Sequence, residues 1–181
     1  MSIPMTKPEV TNALVGLALE RAQFEYTECA DNWKLLDAKA QGTAAITGIF
    51  LAAVVAFIGR DACSQGTDIH MKITAAALLT LLLLSIMSSV FALRVVEFDM
   101  PPSGRSTKAD VDRLLQLDLG EDQLREGRLL LLKELTEIWL ACNDKLDSCN
   151  ERKGRWIRRA QLCLAGAAVA GSMIAMWRLL S

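Results

Sequence analysis

Charge disappears from the chain three times. Residues 40–59, 73–93 and 160–177 contain no Asp, Glu, Lys or Arg, whereas the segments before and between them carry both acidic and basic residues. At about 1.5 Å of rise per residue, each run covers most or all of a hydrocarbon core about 30 Å thick. The second run, ITAAALLTLLLLSIMSSVFAL (Ile73–Leu93), lacks the polar edge that a buried soluble helix usually keeps. The third is shorter and rich in Ala and Gly. The pattern predicts three membrane-spanning helices.

The polar segments read as helices too. TKPEV (Thr6–Val10) places Thr6 as an N-cap, Pro8 in a first turn and Glu9 closing a capping box. No proline follows before Gln41, so one long helix is expected to enter the first span. Val10, Leu14, Leu17 and Phe24 follow heptad-like spacing interrupted by Arg21 and Glu28, which calls for a helix of this chain or of a neighbouring copy. EFDMPPSGRS (Glu97–Ser106) is the one clear linker. A short helix is expected over Thr107–Leu119, with Asp110 near its start. After Gly120 a second helix runs from about Glu121, with Leu124, Leu131, Leu135, Ile138, Cys142 and Cys149 at two heptad positions. No proline stops it before the third span. With no strand-like alternation, repeat or low-complexity tract, the expected fold is all-α. Its order is a cytoplasmic N-terminal helix (1–39), span one (40–59), an external loop (60–72), span two (73–93), a cytoplasmic helical region (94–159), span three (160–177) and an external tail (178–181).

Composition sharpens orientation more than class. In 181 residues the apolar fraction is 52%, only slightly above that of soluble proteins, and the net charge is −1, which gives no general pull toward nucleic acid. ERKGRWIRRA (Glu151–Ala160) concentrates basic residues against span three, and the positive-inside bias places the Arg94–Arg159 segment in the cytoplasm. The N-terminus is then cytoplasmic and Ser181 external. Glu9, Glu20, Glu25 and Glu28 interrupt the first 30 residues, so no secretory h-region is expected there and span one should persist. On this topology Cys29, Cys142 and Cys149 are cytosolic, Cys163 lies in the bilayer and Cys63 is alone outside, so no disulfide framework is expected. Cys142 and Cys149, two turns apart, read as core residues rather than metal ligands.

The chemistry of a catalyst is missing. The single histidine, His70, falls in the short external loop, and no nucleophile motif, phosphate loop, dinucleotide fingerprint, HExxH or CxxC pair occurs. No enzymatic activity, cofactor or metal is expected. Packing chemistry is present instead. Ala44, Gly48, Ala52 and Ala56 form a ribbon of small side chains in span one, and Cys163, Ala167, Gly171 and Ala175 form one in span three. In lipid, helices associate through such close backbone approach, within one chain or between copies. Ser85, Ser88 and Ser89 share one face of span two with Ala92; in a ring of subunits this is the face least costly to wet, and it is the expected pore lining. Asp37 and Lys39 at the margin of span one, and Arg94 at that of span two, form the expected membrane-margin charge cluster, with Asp37 pairing to Arg94 if those helices are antiparallel neighbours.

Asp37-x-Lys39-Ala40 with Gly48 following within span one resembles the corresponding motif of the three-span membrane effectors of bacterial Pycsar antiphage systems. FALRVV (Phe91–Val96) closing span two, the proline-containing linker, the helical pair and the basic flank of span three are similar to that family as well. The related SLATT effectors share the general plan. The likeness covers Asp31–Phe98 well and Asp118–Trp177 loosely. It implies a homo-oligomeric inner-membrane effector that depolarises the membrane when a partner nucleotidyltransferase or cyclase changes the level of a nucleotide or oligonucleotide messenger. The need for a pore calls for a closed ring, taken as a tetramer with no residue that selects four. The sequence departs from the simplest version in having no cyclic-nucleotide-binding β-roll. The messenger would then be held by helices, with Arg105, Lys108, Arg113, Arg125 and Arg128 as phosphate contacts, because guanidinium groups suit phosphate oxygens.

Two other classes compete. A membrane adaptor would recruit a soluble partner through its cytoplasmic helices and leave the membrane potential intact. A phage-type holin would share small size and few spans, but the long N-terminal helix and the region between spans two and three argue against it.

Overall fold

The computed structural model describes residues 7–61, 69–94, 101, 104–116 and 120–180. Among these residues the elements are four α-helices: α1 (Lys7–Asp61), α2 (Ile69–Leu93), α3 (Gly104–Gln116) and α4 (Glu121–Leu180). No strand occurs among the described residues. Three helices, α1, α2 and α4, contain stretches long and apolar enough to cross a bilayer.

The lengths of α1 and α4 follow from what they lack. α1 has its only proline, Pro8, in the first turn, where the missing N–H costs nothing, and α4 has none. At the start of α4, Gly120 accepts from Leu124 N at 3.0 Å and donates its own N–H to Gln123 Oε1 at 3.3 Å. That is the reciprocal half of a capping box, and Glu121 and Asp122 add negative charge to the same turn. α4 then passes Gly154 without a break, as expected.

Two boundaries differ from expectation. α2 begins at Ile69 and so takes in His70 and Lys72, which charge alone places in a loop. Nothing in IHMK opposes a helix; the polar residues simply form its first turn. α3 (Gly104–Gln116) begins three residues before the expected Thr107, and its expected end at Leu119 lies outside the described residues. Proline restrains the residue before it more than those after it, so the helix starts soon after Pro102. The Thr6 cap and Cys63 lie outside the described residues.

The chain forms two compact units, the first of Met1–Asn32 with Val96–Cys149 and the second of Trp33–Val95 with Asn150–Ser181. α1 and α4 contribute to both. The divisions fall at Asn32/Trp33 and Cys149/Asn150, earlier on each helix than the last charge before the apolar run. The reason is that Trp33, Asp37, Lys153 and Trp156, read from sequence as flank, pack within the second unit.

In the first unit α1 and α4 meet closely at Ala22, which is 1% exposed and whose carbonyl accepts from Asn143 Nδ2 at 2.9 Å. Tyr26 and Trp139 meet edge to face one turn on, with centroids 5.2 Å apart. Cys142 and Leu146 are buried and Cys149 is half-buried, in keeping with core roles. Burial pushes the Tyr26 hydroxyl up, with Cys142 adding to it. Burial likewise raises the Cys29 thiol, helped by Asp147, Glu25 and Glu28.

The second unit is arranged inside out. Ile49, Leu83, Met87, Val90 and Val169 are exposed, while Thr43, Thr47, Ser85, Ser88 and Ser89 are buried. Two apolar clusters complete its interior. One holds Ala40, Ala92 and Ile157 with Leu36, Leu93 and Trp156 against them. The other holds Leu78, Leu82 and Ala167, flanked by Leu51, Val54 and Leu164 among others.

Candidate functional site

Three features carry polar chemistry, and each lies within one unit. The first is the hydroxyl layer of the second unit. Ser85 Oγ donates across helices to the Ala160 carbonyl at 2.9 Å and lies 3.1 Å from Thr47 Oγ. Thr47 Oγ is 2.7 Å from the Thr43 carbonyl, and Thr43 Oγ donates to Lys39 O at 2.8 Å. Around Thr47 and Ser85, three contacts share two hydroxyl hydrogens. Ser85 commits its hydrogen to Ala160, so the Thr47 hydrogen divides between its own helix and Ser85. Ser89, one turn further along α2, is 0% exposed and its Oγ has no partner in the protein. Of the three serines expected to face the axis of a subunit ring, Ser85 contacts α1 and α4 of its own chain, and Ser88 and Ser89 are buried beside it. Small side chains draw helices together, and here the hydroxyls fill the resulting contact.

The second feature is a charge pair. Lys153 Nζ donates to Asp37 Oδ1 at 2.6 Å and sits 3.4 Å from the centre of the Trp33 ring. The lysine side chain is 4% exposed and that of the aspartate 32%. The expected pairing of Asp37 with Arg94 does not form. Lys153 is the partner instead, because α4 packs against α1 at this level, while Arg94 is exposed at the end of α2 with its N–H near Phe91 O. Lys39 is exposed as well. Nearby, Phe91 stacks on Trp156, and Arg159 lies 4.8 Å from the centre of the same indole. Desolvation makes a lone buried ammonium costly, so the carboxylate and the aromatic face are what allow a lysine here.

The third feature is a cleft of about 540 Å³ in the first unit, lined by Asn12, Gly16, Leu17 and Glu20 of α1 and by Arg125 and Arg128 of α4, with Ala13 between them. Gly16 leaves open space where a side chain would begin. Asn12 Oδ1 is buried without a protein donor. Two guanidinium groups against one carboxylate give the cleft a net positive character. Arg125 and Arg128, both expected as phosphate contacts, are brought together. Lys108 and Arg113 are exposed on α3 and do not line it; Arg105 belongs to the first turn of α3. Sequence reasoning missed Asn12, Gly16 and Glu20. Their spacing of four residues puts them on one face of α1, but nothing in the sequence says which stretch of α4 meets that face.

The small-residue ribbons fare differently. In the ribbon of α4 Ala167 is buried, Cys163 and Gly171 are half-buried and Ala175 is exposed; in that of α1 Ala44 and Gly48 are half-buried and Ala52 and Ala56 are exposed. The ribbon of α4 enters the core at Ala167, and that of α1 supplies no buried residue. No group of three or more His, Cys, Asp or Glu able to hold a metal ion occurs among the described residues. Set beside known proteins, the chain matches no family model, no curated protein and no solved structure.

Proposed function

We propose that the chain is a homo-oligomeric inner-membrane effector of a bacterial antiphage system. A nucleotide-derived signal from a partner nucleotidyltransferase or cyclase controls it, and its action is to breach the membrane and arrest the cell. The observation that carries this reading is the inverted polarity of the second unit. An apolar exterior with hydroxyls inside is costly in water and natural in lipid. The Asp37-x-Lys39-Ala40 pattern ahead of Gly48 supports the same assignment, and the exposed Ala52 and Ala56 of the α1 ribbon support contact between copies. The first unit supports a sensing role, because its cleft places Arg125 and Arg128 on α4, the helix that continues into the second unit. In this reading the N-terminus and the first unit are cytoplasmic and the C-terminus is external. The messenger binds at Arg125 and Arg128 and shifts the population of helix arrangements, and that shift sets the state of the membrane path.

The test is inducible expression with a potential-sensitive dye, with and without a cyclase or nucleotidyltransferase. The effector reading expects depolarisation in one signal state, abolished by Arg125→Glu with Arg128→Glu while the protein stays in the membrane. Leu14, Leu17 and Phe24 on α1 and Leu130 and Leu140 on α4 are exposed and favour a second reading, a membrane adaptor that docks a soluble partner. An intact potential in every signal state would establish the adaptor and sink the effector.

A further inference from the structure

The buried hydroxyls occupy a defined layer, and the same order recurs on all three helices of the second unit. On α2, Leu78 and Leu82 belong to one apolar cluster, Ser85 and Ser89 follow, and Ala92 belongs to the other cluster. On α1 the sequence runs the opposite way, from Ala40 through Thr43 and Thr47 to Leu51. On α4 it runs from Ile157 past the Ala160 carbonyl to Ala167. A buried polar layer thus lies between two apolar plugs, entirely within one copy of the chain. One plug is thin, built on Ala40, Ala92 and Ile157. The other is thick, built on Leu78, Leu82 and Ala167.

Packing alone explains this poorly. Ser89 is fully enclosed with a hydroxyl that bonds nothing in the protein, at a typical cost of about 1–3 kcal/mol that an alanine would avoid. Thr47 and Ser85 each donate to a carbonyl, and their oxygens, 3.1 Å apart, keep accepting capacity to spare. Hydroxyl and carbonyl oxygens with spare capacity are the lining that water and small ions require, and narrow apolar rings close such a lining by excluding water.

We propose that this layer is the wall of a conducting path for water and small monovalent ions that runs through the interior of each protomer, shut in this structure by the Leu78–Leu82 and Ala40–Ala92–Ile157 plugs. The inference rests on the membrane-breaching reading above and departs from a path on the axis between copies, which the small-residue face of α1 would line. Opening consists of wetting the plugs as α2 parts from its neighbours.

The test uses the full chain expressed in cells, read by membrane potential. Leu82→Ser hydrates the thick plug and is expected to depolarise cells roughly tenfold faster than the parent chain without any signal. Met87→Ser, on the exposed side of the same helix, is expected to behave as the parent does. If Leu82→Ser fails to reach the membrane, Leu78→Ser takes its place. In the leaking background, Ser89→Cys is expected to confer block by a cationic methanethiosulfonate reagent, and Gly48→Cys is expected to confer none. Block through Gly48→Cys and not Ser89→Cys puts the path between copies and overturns the inference while leaving the effector reading intact. The inference is overturned in the same way if neither plug variant leaks although the parent chain depolarises cells alongside a cyclase. Absence of depolarisation from the parent and from every variant removes the effector reading and the inference together.

Discussion

The two compact units solve opposite problems with the same helices. In the first unit α1 and α4 carry charge on their outer faces and join through Ala22, Asn143 and a Tyr26–Trp139 contact. In the second the outer faces are apolar and the joints are hydroxyls and a charge pair. A polar joint in the first unit competes with water for its hydrogen bonds. In the second it has no such competitor if the surroundings are lipid, so each bond is worth keeping and each unmet group is expensive. The contrast teaches where the chain is sensitive: aromatic and amide packing in the first unit, individual hydrogens in the second.

The largest predicted effect lies in the second unit. Lys153→Ala leaves Asp37 partly buried without its cation and is expected to cost about 3 kcal/mol, read as thermal unfolding in detergent micelles. Asp37→Asn with Lys153→Met should recover most of that loss. A double variant no better than the single would show that the pair does not hold α1 to α4.

In the first unit, Trp139→Ala is expected to cost about 2 kcal/mol through lost area and the edge contact with Tyr26. Asn143→Ala should cost about 1 kcal/mol through the bond to Ala22 O. Loss of the same size from substituting an exposed residue such as Leu130 would blur the contrast between packed and open faces.

The two serines sharpen it further. Ser85→Ala removes the bond to Ala160 O and should destabilise by about 1 kcal/mol, whereas Ser89→Ala removes an unpartnered hydroxyl and should be neutral or stabilising. Equal losses at both positions would mean that Ser89 is satisfied and that the hydroxyl layer is ordinary packing.

The smallest effect is alkaline. Tyr26 and Cys29 both titrate above their ordinary values of 10.0 and 9.0, so the folded first unit prefers their neutral forms. That contribution is complete below the ordinary values and is lost as pH rises through the raised ones. Denaturation midpoints should therefore fall above about pH 9, and less so in Tyr26→Phe. Thiol-reagent kinetics at Cys29 should be slower than for a free thiol at about pH 8.

Much of the fold was legible because charge is the dominant signal. Three uncharged runs named the three long apolar helices, and the lack of proline between Glu121 and Leu180 foretold one continuous α4. What could not be read was rotation about the helix axes. Five basic residues lie between Arg152 and Arg159, and which of them turns inward depends on where α4 meets α1. That choice made Lys153, rather than Arg94, the partner of Asp37. The serines were placed on one face of α2, but whether that face met its own chain or a copy was beyond a one-dimensional pattern. Arg125 and Arg128, one turn apart, were readable as a pair; the α1 residues across from them were not.

The division of hydrogens around Ser85 ranks the ties that hold α2. Toward α4 it has a committed bond, from Ser85 to the Ala160 carbonyl; toward α1 it has only a share of the Thr47 hydrogen, which its own helix can reclaim at no loss. Separation therefore begins on the α1 side, and since Asp37 keeps α1 moored to Lys153, the motion is that of a door swinging on its jamb rather than a panel lifted away.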